Sequence, residues 1–162
     1  MRQAKWRTRL TRGAAIAALY VALCWALAPI SYGWIQLRVA EALTVLPILW
    51  PEAIPALYLG TMVANVLGGL GAIDIFGGSL VTLAAACLTR LTRHSWVAYL
   101  WPVLLNALLI SLYLSALAGV PYWATALSIG ASEAVVVLAL GVPLIRVLRR
   151  RFKPEEADTN QT

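Results

Sequence analysis

Charge is scarce in this chain: 162 residues include only 13 basic and 7 acidic ones, and 61% of the residues are apolar. A soluble domain carries about 25% charged residues, against 12% here. Between residues 13 and 145 the only charges are Arg38, Glu41, Glu52, Asp74, Arg90, Arg93 and Glu133. Such a chain cannot clothe a globule in charge, which excludes a soluble enzyme, a secreted disulfide scaffold and a disordered protein. Histidine occurs once, as His94, and cysteine twice, as Cys24 and Cys87. Both cysteines fall in apolar runs and read as small core residues, with no metal-ligand partners at suitable spacing. An intramembrane enzyme would need a nucleophile with its base or a metal cluster, and neither is present. Also missing is a Gly-rich loop followed by Lys and Ser or Thr, which ATP hydrolysis requires to cradle phosphates. No cofactor or metal site is expected.

What the chain does have is long apolar runs. A spanning helix needs roughly 20 apolar residues, and breaks at proline, glycine and isolated charges divide the body into six. The spacing predicts helices over about 13–30, 39–50, 53–70, 74–92, 96–118 and 122–148. The second is short and carries Pro47. The first apolar run is followed by five more, so it reads as a span and not as a cleaved leader. Basic residues flank the body: Arg2, Lys5, Arg7, Arg9 and Arg12 on one end, Arg146, Arg149, Arg150, Arg151 and Lys153 on the other. With six spans, every basic residue except Arg38 falls on one side. Since Lys and Arg accumulate on the cytoplasmic side, the expected fold is all-α, six transmembrane helices with both termini cytoplasmic. Residues 1–12 form a basic N-terminal segment, 13–148 the membrane domain, and 149–162 a basic, then polar, tail, of which Pro154 to Thr162 is expected to be disordered.

This topology sorts the polar residues by depth. Arg38 and Glu41 fall at the outer start of the second helix, Asn65 in the outer third of the third, and Asp74 at the outer start of the fourth. Asn106 and Glu133 lie near the middle of the last two. Glu133 is about 11 residues into its helix, roughly 17 Å below the surface at 1.5 Å per residue. An ionisable group so deep faces a bundle interior or a wet cavity and finds a partner. Each residue also has a plain structural reading. Glu133 can be protonated and bonded to a neighbouring helix, and Arg38 with Glu41 can be a local ion pair. Asp74 can be a helix cap, and Asn65 and Asn106 can be interhelical hydrogen bonds. A further pattern sits on the first helix, where Ala14, Ala18, Ala22 and Ala26 recur every four residues. They share one smooth face, suited either to packing within the bundle or to a partner helix.

Several stretches together resemble one family: Ala28-Pro29-Ile30-Ser31-Tyr32-Gly33, Gln36-Leu37-Arg38, Glu41-Ala42-Leu43-Thr44-Val45-Leu46-Pro47 and Pro51-Glu52-Ala53-Ile54-Pro55, followed by Ala64-Asn65, Gly68-Gly69, Asp74-Ile75 and Gly78-Ser79. They resemble the QueT family, queuosine-precursor S components of energy-coupling factor (ECF) transporters. The resemblance covers nearly all of residues 13–148 and is most specific over 28–55.

It implies a substrate-binding membrane domain in a prokaryotic-type plasma membrane. That domain would capture a 7-deazaguanine, with 7-aminomethyl-7-deazaguanine (preQ1) as the expected member, at its outer face. The implied partners are a transmembrane coupling subunit and two ATPases, with Ala14, Ala18 and Ala22 as the docking face. The alternatives are an S component for another small vitamin and a self-sufficient transporter, although the polar residues stop at mid-depth and form no complete path.

Ligand chemistry bears on the same residues. A deazaguanine presents a ring N–H and an amino group side by side, which one carboxylate accepts together, and its aminomethyl cation favours a second acid. Glu41, Asp74 and Glu133 supply carboxylates, while Asn65 and Asn106 can read the ring edge. Tyr32, Trp34, Tyr113 and Trp123 can stack on the ring or serve as interfacial anchors.

Overall fold

The computed structural model describes residues 2–28 and 38–152, and its secondary structure there is entirely helical. Six helices follow one another: α1 (Arg2–Ala26), α2 (Val39–Ile48), α3 (Ala53–Leu67), α4 (Asp74–Leu91), α5 (Trp96–Leu117) and α6 (Tyr122–Arg151). The expected boundaries hold to within a few residues, except at the two basic ends. There α1 begins at Arg2, and α6 runs through Arg151. Arg and Lys are good helix formers, so nothing in the flanks stops either helix. The polar tail lies outside the described residues.

Three helices, α4, α5 and α6, are long and apolar enough to cross a membrane, and α2 and α3 are shorter apolar helices. Large apolar side chains such as Leu59, Leu80, Leu112, Leu127 and Val135 are exposed around the bundle, a distribution that suits hydrocarbon and not water. Of the two cysteines, Cys24 is buried as expected, but Cys87 is exposed. It falls on the outward face of α4, between the buried Ala86 and Thr89.

The centre of the bundle is α2. It is a 3₁₀ helix, and nine consecutive residues from Ala40 to Ile48 are buried. Pro47 lacks the N–H that a helix interior uses. At about 2.0 Å per residue, its ten residues reach as far as roughly thirteen residues of α-helix at 1.5 Å each. Its last carbonyls find a donor across the fold, because Arg90 Nη1 donates to Pro47 O at 3.2 Å and Ile48 O at 3.3 Å. Within a bilayer there is no water to meet such groups.

Packing of α1 on α3 depends on a missing side chain. A Cβ on Gly60 would stand 3.2 Å from Ala17 O and 3.2 Å from Tyr20 Cβ, so glycine allows the two backbones to approach closely.

At one end of the bundle, Arg12 pairs with Glu52 at 2.8 Å and lies 4.6 Å from the Trp50 ring centre. Trp50 meets Phe152 edge to face at 5.7 Å. These contacts gather the basic part of α1, the α2–α3 corner and the end of α6 at the end where Arg90 meets α2.

Candidate functional site

The opposite half of the bundle encloses a cavity of about 140 Å³, and five helices from α2 to α6 contribute to its wall. Local backbone geometry sets several of these side chains. Three π turns interrupt the spans, at Asp74–Gly78, Asn106–Ile110 and Val137–Gly141. Such turns are rare and concentrate at functional sites. Asp74 and Asn106 each open one of them, and Glu133 precedes the third by one helical turn. Gly78 closes the first and keeps the cavity open, since a Cβ there would lie 3.4 Å from Asn65 Nδ2 and 3.6 Å from the Tyr113 hydroxyl.

Hydrogen bonds link the wall into two groups. In the first, Tyr20 of α1 donates to Glu41 Oε1 at 2.5 Å, and Arg38 Nη2 donates to the Tyr20 hydroxyl and to Asn65 Oδ1, each at 3.3 Å. Arg38 Nε lies 3.6 Å from Glu41 Oε1. Asn65 Nδ2 donates to Asp74 O at 2.7 Å, which fastens the α3–α4 connection, and Tyr113 donates to Asp74 Oδ1 at 2.6 Å. In the second group, Asn106 Nδ2 donates to Glu133 Oε1 at 2.9 Å.

Glu41 is 2% exposed and Glu133 6%. Buried polar atoms are nearly always hydrogen-bonded. Even so, Glu41 Oε2 and the Thr61 hydroxyl, both in the wall, are buried and accept or donate no hydrogen bond within the described structure. The wall therefore offers carboxylates, carboxamides, hydroxyls and one guanidinium. Among the described residues no set of three or more His, Cys, Asp or Glu side chains is arranged to hold a metal.

Of the residues singled out from the sequence, Arg38, Glu41, Asn65, Asp74, Asn106, Tyr113 and Glu133 all line this one cavity. Trp123 does not. It is the second residue of α6, 70% exposed, and stacks edge to face on Tyr122. Tyr32 and Trp34 lie outside the described residues. Sequence reasoning overlooked Tyr20, Thr61, Thr82 and Ser132. For Tyr20 a signal existed, because a phenol inside an apolar span needs a hydrogen-bond partner, and Glu41 is the nearest acid in the sequence.

Ala14, Ala18 and Ala22 are exposed. Ala18 and Ala22 lie along a shallow, almost wholly apolar groove whose far side is formed by Leu59, Gly60, Val63 and Leu67 of α3. The stripe is thus not buried inside the bundle.

Comparison with known proteins places these features. Residues 10–150 match the QueT transporter family. No curated protein and no solved structure matches the chain significantly. The match takes in all six helices and every residue of the cavity wall. The chain belongs to the QueT transporter family and is a multi-pass cell-membrane transport protein, not an enzyme.

Proposed function

We propose that this chain is the substrate-capturing S component of an ECF-type transporter and binds a 7-deazaguanine, preQ1, from the outer face. The observation that carries the proposal is the wall in which the buried Glu41 and Glu133 and the half-buried Asp74 meet Asn65 and Asn106 in one cavity. A ligand with adjacent N–H donors and a positive arm uses both carboxylates and carboxamides, whereas an anion such as a phosphate would meet three acids and one guanidinium. Residues 13–148 act as the binding domain. Residues 1–12 and 149–162 lie on the cytoplasmic side, in keeping with the cluster of basic residues at the end away from the cavity.

In this reading the chain hydrolyses nothing. Its partners are a transmembrane coupling subunit and two ATPases, and the coupling subunit docks along the groove beside Ala14, Ala18 and Ala22. Small side chains let a second helix approach closely, which is what drives association where the hydrophobic effect between helices is absent.

Calorimetry on the purified chain in detergent, without ATP, tests the ligand. Tight binding of preQ1 over guanine, riboflavin and biotin is expected. Tight binding of another of these, with none of preQ1, would sink the reading.

A further inference from the structure

We infer that the two buried glutamates divide the ligand between them: Glu41 accepts the paired N–H donors of the flat ring edge, and Glu133 is the counter-ion of the positively charged arm. The inference rests on the proposed ligand class and extends it to the roles of single side chains.

Glu41 is held as an acceptor whose charge is already met. Its Oε1 takes the Tyr20 hydroxyl at 2.5 Å and has Arg38 Nε at 3.6 Å, while its Oε2 is buried and receives no hydrogen bond within the described structure. A carboxylate so placed has a fixed orientation and an open oxygen, which suits N–H donors. A second full cation beside it would sit against the Arg38 guanidinium, and like charges at close range repel.

Glu133 is placed differently. Its Oε1 accepts from the neutral amide of Asn106 at 2.9 Å. Among the described residues it forms no ion pair within 4.0 Å, and Arg38, whose charge reaches it, lies against Glu41 instead. A buried carboxylate is destabilised when its charge is unmatched, so a cationic group brought by the ligand has its best partner here. Asp74 is the competing acid. It is half-buried and already accepts the Tyr113 hydroxyl at 2.6 Å, so it is better hydrated and less in need of a counter-charge.

The test compares three ligands sharing one ring edge: preQ1 with its cationic arm, the neutral 7-cyano analogue, and 7-deazaguanine with no arm. Calorimetry is run on the wild-type chain and on Glu133→Gln, Glu41→Gln and Asp74→Asn, each shown to be folded by an unshifted gel-filtration peak and melting curve. Glu133→Asp, which keeps the charge, is the second variant if the glutamine form does not fold.

The wild type should favour preQ1 over both neutral ligands. Glu133→Gln should weaken preQ1 by about tenfold or more, as expected when a bond between charged groups is lost, and leave the neutral ligands within about threefold, so that the preference disappears. Glu41→Gln should weaken all three ligands by similar factors, preserving the preference. The assignment is overturned if Asp74→Asn and not Glu133→Gln removes the preference, or if Glu133→Gln weakens neutral and cationic ligands alike. A wild type that binds none of the three overturns the ligand reading, and the assignment with it. A wild type that binds all three equally overturns the assignment alone.

Discussion

Replacing Tyr20 with phenylalanine removes a single oxygen from a fully buried position and leaves the ring in place. That oxygen donates to Glu41 Oε1 at 2.5 Å and accepts from Arg38 Nη2 at 3.3 Å. Hydrogen bonds to charged groups contribute about 1.5–3 kcal/mol, and a buried acceptor left without its donor adds its own desolvation penalty. In the variant, Glu41 Oε1 would retain Arg38 Nε at 3.6 Å, beyond good hydrogen-bond reach. The loss therefore belongs in the upper part of that range. At 1.4 kcal/mol per tenfold, a loss of about 2.2–3 kcal/mol expressed in ligand affinity is a factor of about 40 to 140. Calorimetry with preQ1 measures that factor, and a thermal melt in detergent measures what is taken from fold stability instead. Tyr58→Phe, on α3 and away from the cavity wall, is the control and should change neither. If Tyr20→Phe matches wild type in both affinity and melting, the phenol does not position Glu41, and the described network has no energetic weight.

Other perturbations address other parts of the molecule. Gly78→Val places a branched side chain where even a Cβ lies 3.4 Å from Asn65 Nδ2, so calorimetry should find ligand binding lost while gel filtration gives the wild-type elution peak. Arg90→Ala deprives the Pro47 and Ile48 carbonyls of a charged donor and should lower stability by about 1.5–3 kcal/mol, seen as an earlier melt; an unchanged melt would show that the end of α2 needs no such cap. Ala18→Trp fills the exposed groove on α1 and should reduce recovery of the coupling subunit from membranes with ligand affinity preserved; loss of both together would mean that the bundle itself was damaged.

Most of the fold was legible in the sequence because lipid simplifies the problem. Apolar length and the breaks at Gly68-Gly69, Arg93-His94 and Gly119 to Pro121 mark helices closely, and scarce charges stand out. The lining of the candidate cavity was legible for the same reason: an acid or amide in an apolar run has few places to go, and Arg38, Glu41, Asn65, Asp74, Asn106 and Glu133 line one cavity. Other features were not legible. That Arg90 of α4 meets the last carbonyls of the 3₁₀ helix α2 is a contact between residues more than 40 positions apart. Tyr20 escaped notice because its partner belongs to another helix. For Trp123 both stacking on a ligand and anchoring at the interface were open, because position in sequence gives depth in the bilayer but not which way one side chain turns.

The three π turns bear on how this chain tolerates insertion and deletion. Deleting one residue from an ordinary α-helix turns everything beyond it by about 100° and moves it about 1.5 Å along the axis, which in a packed span displaces every contact. A π turn carries one residue more than the α turn it replaces. Losing a residue from Asp74–Gly78, Asn106–Ile110 or Val137–Gly141 therefore tightens the turn and keeps the flanking segments in phase. The spans can lose a residue at these places without renegotiating the rest of the bundle. Alignments of related chains should accordingly carry their single-residue gaps within spans at these turns.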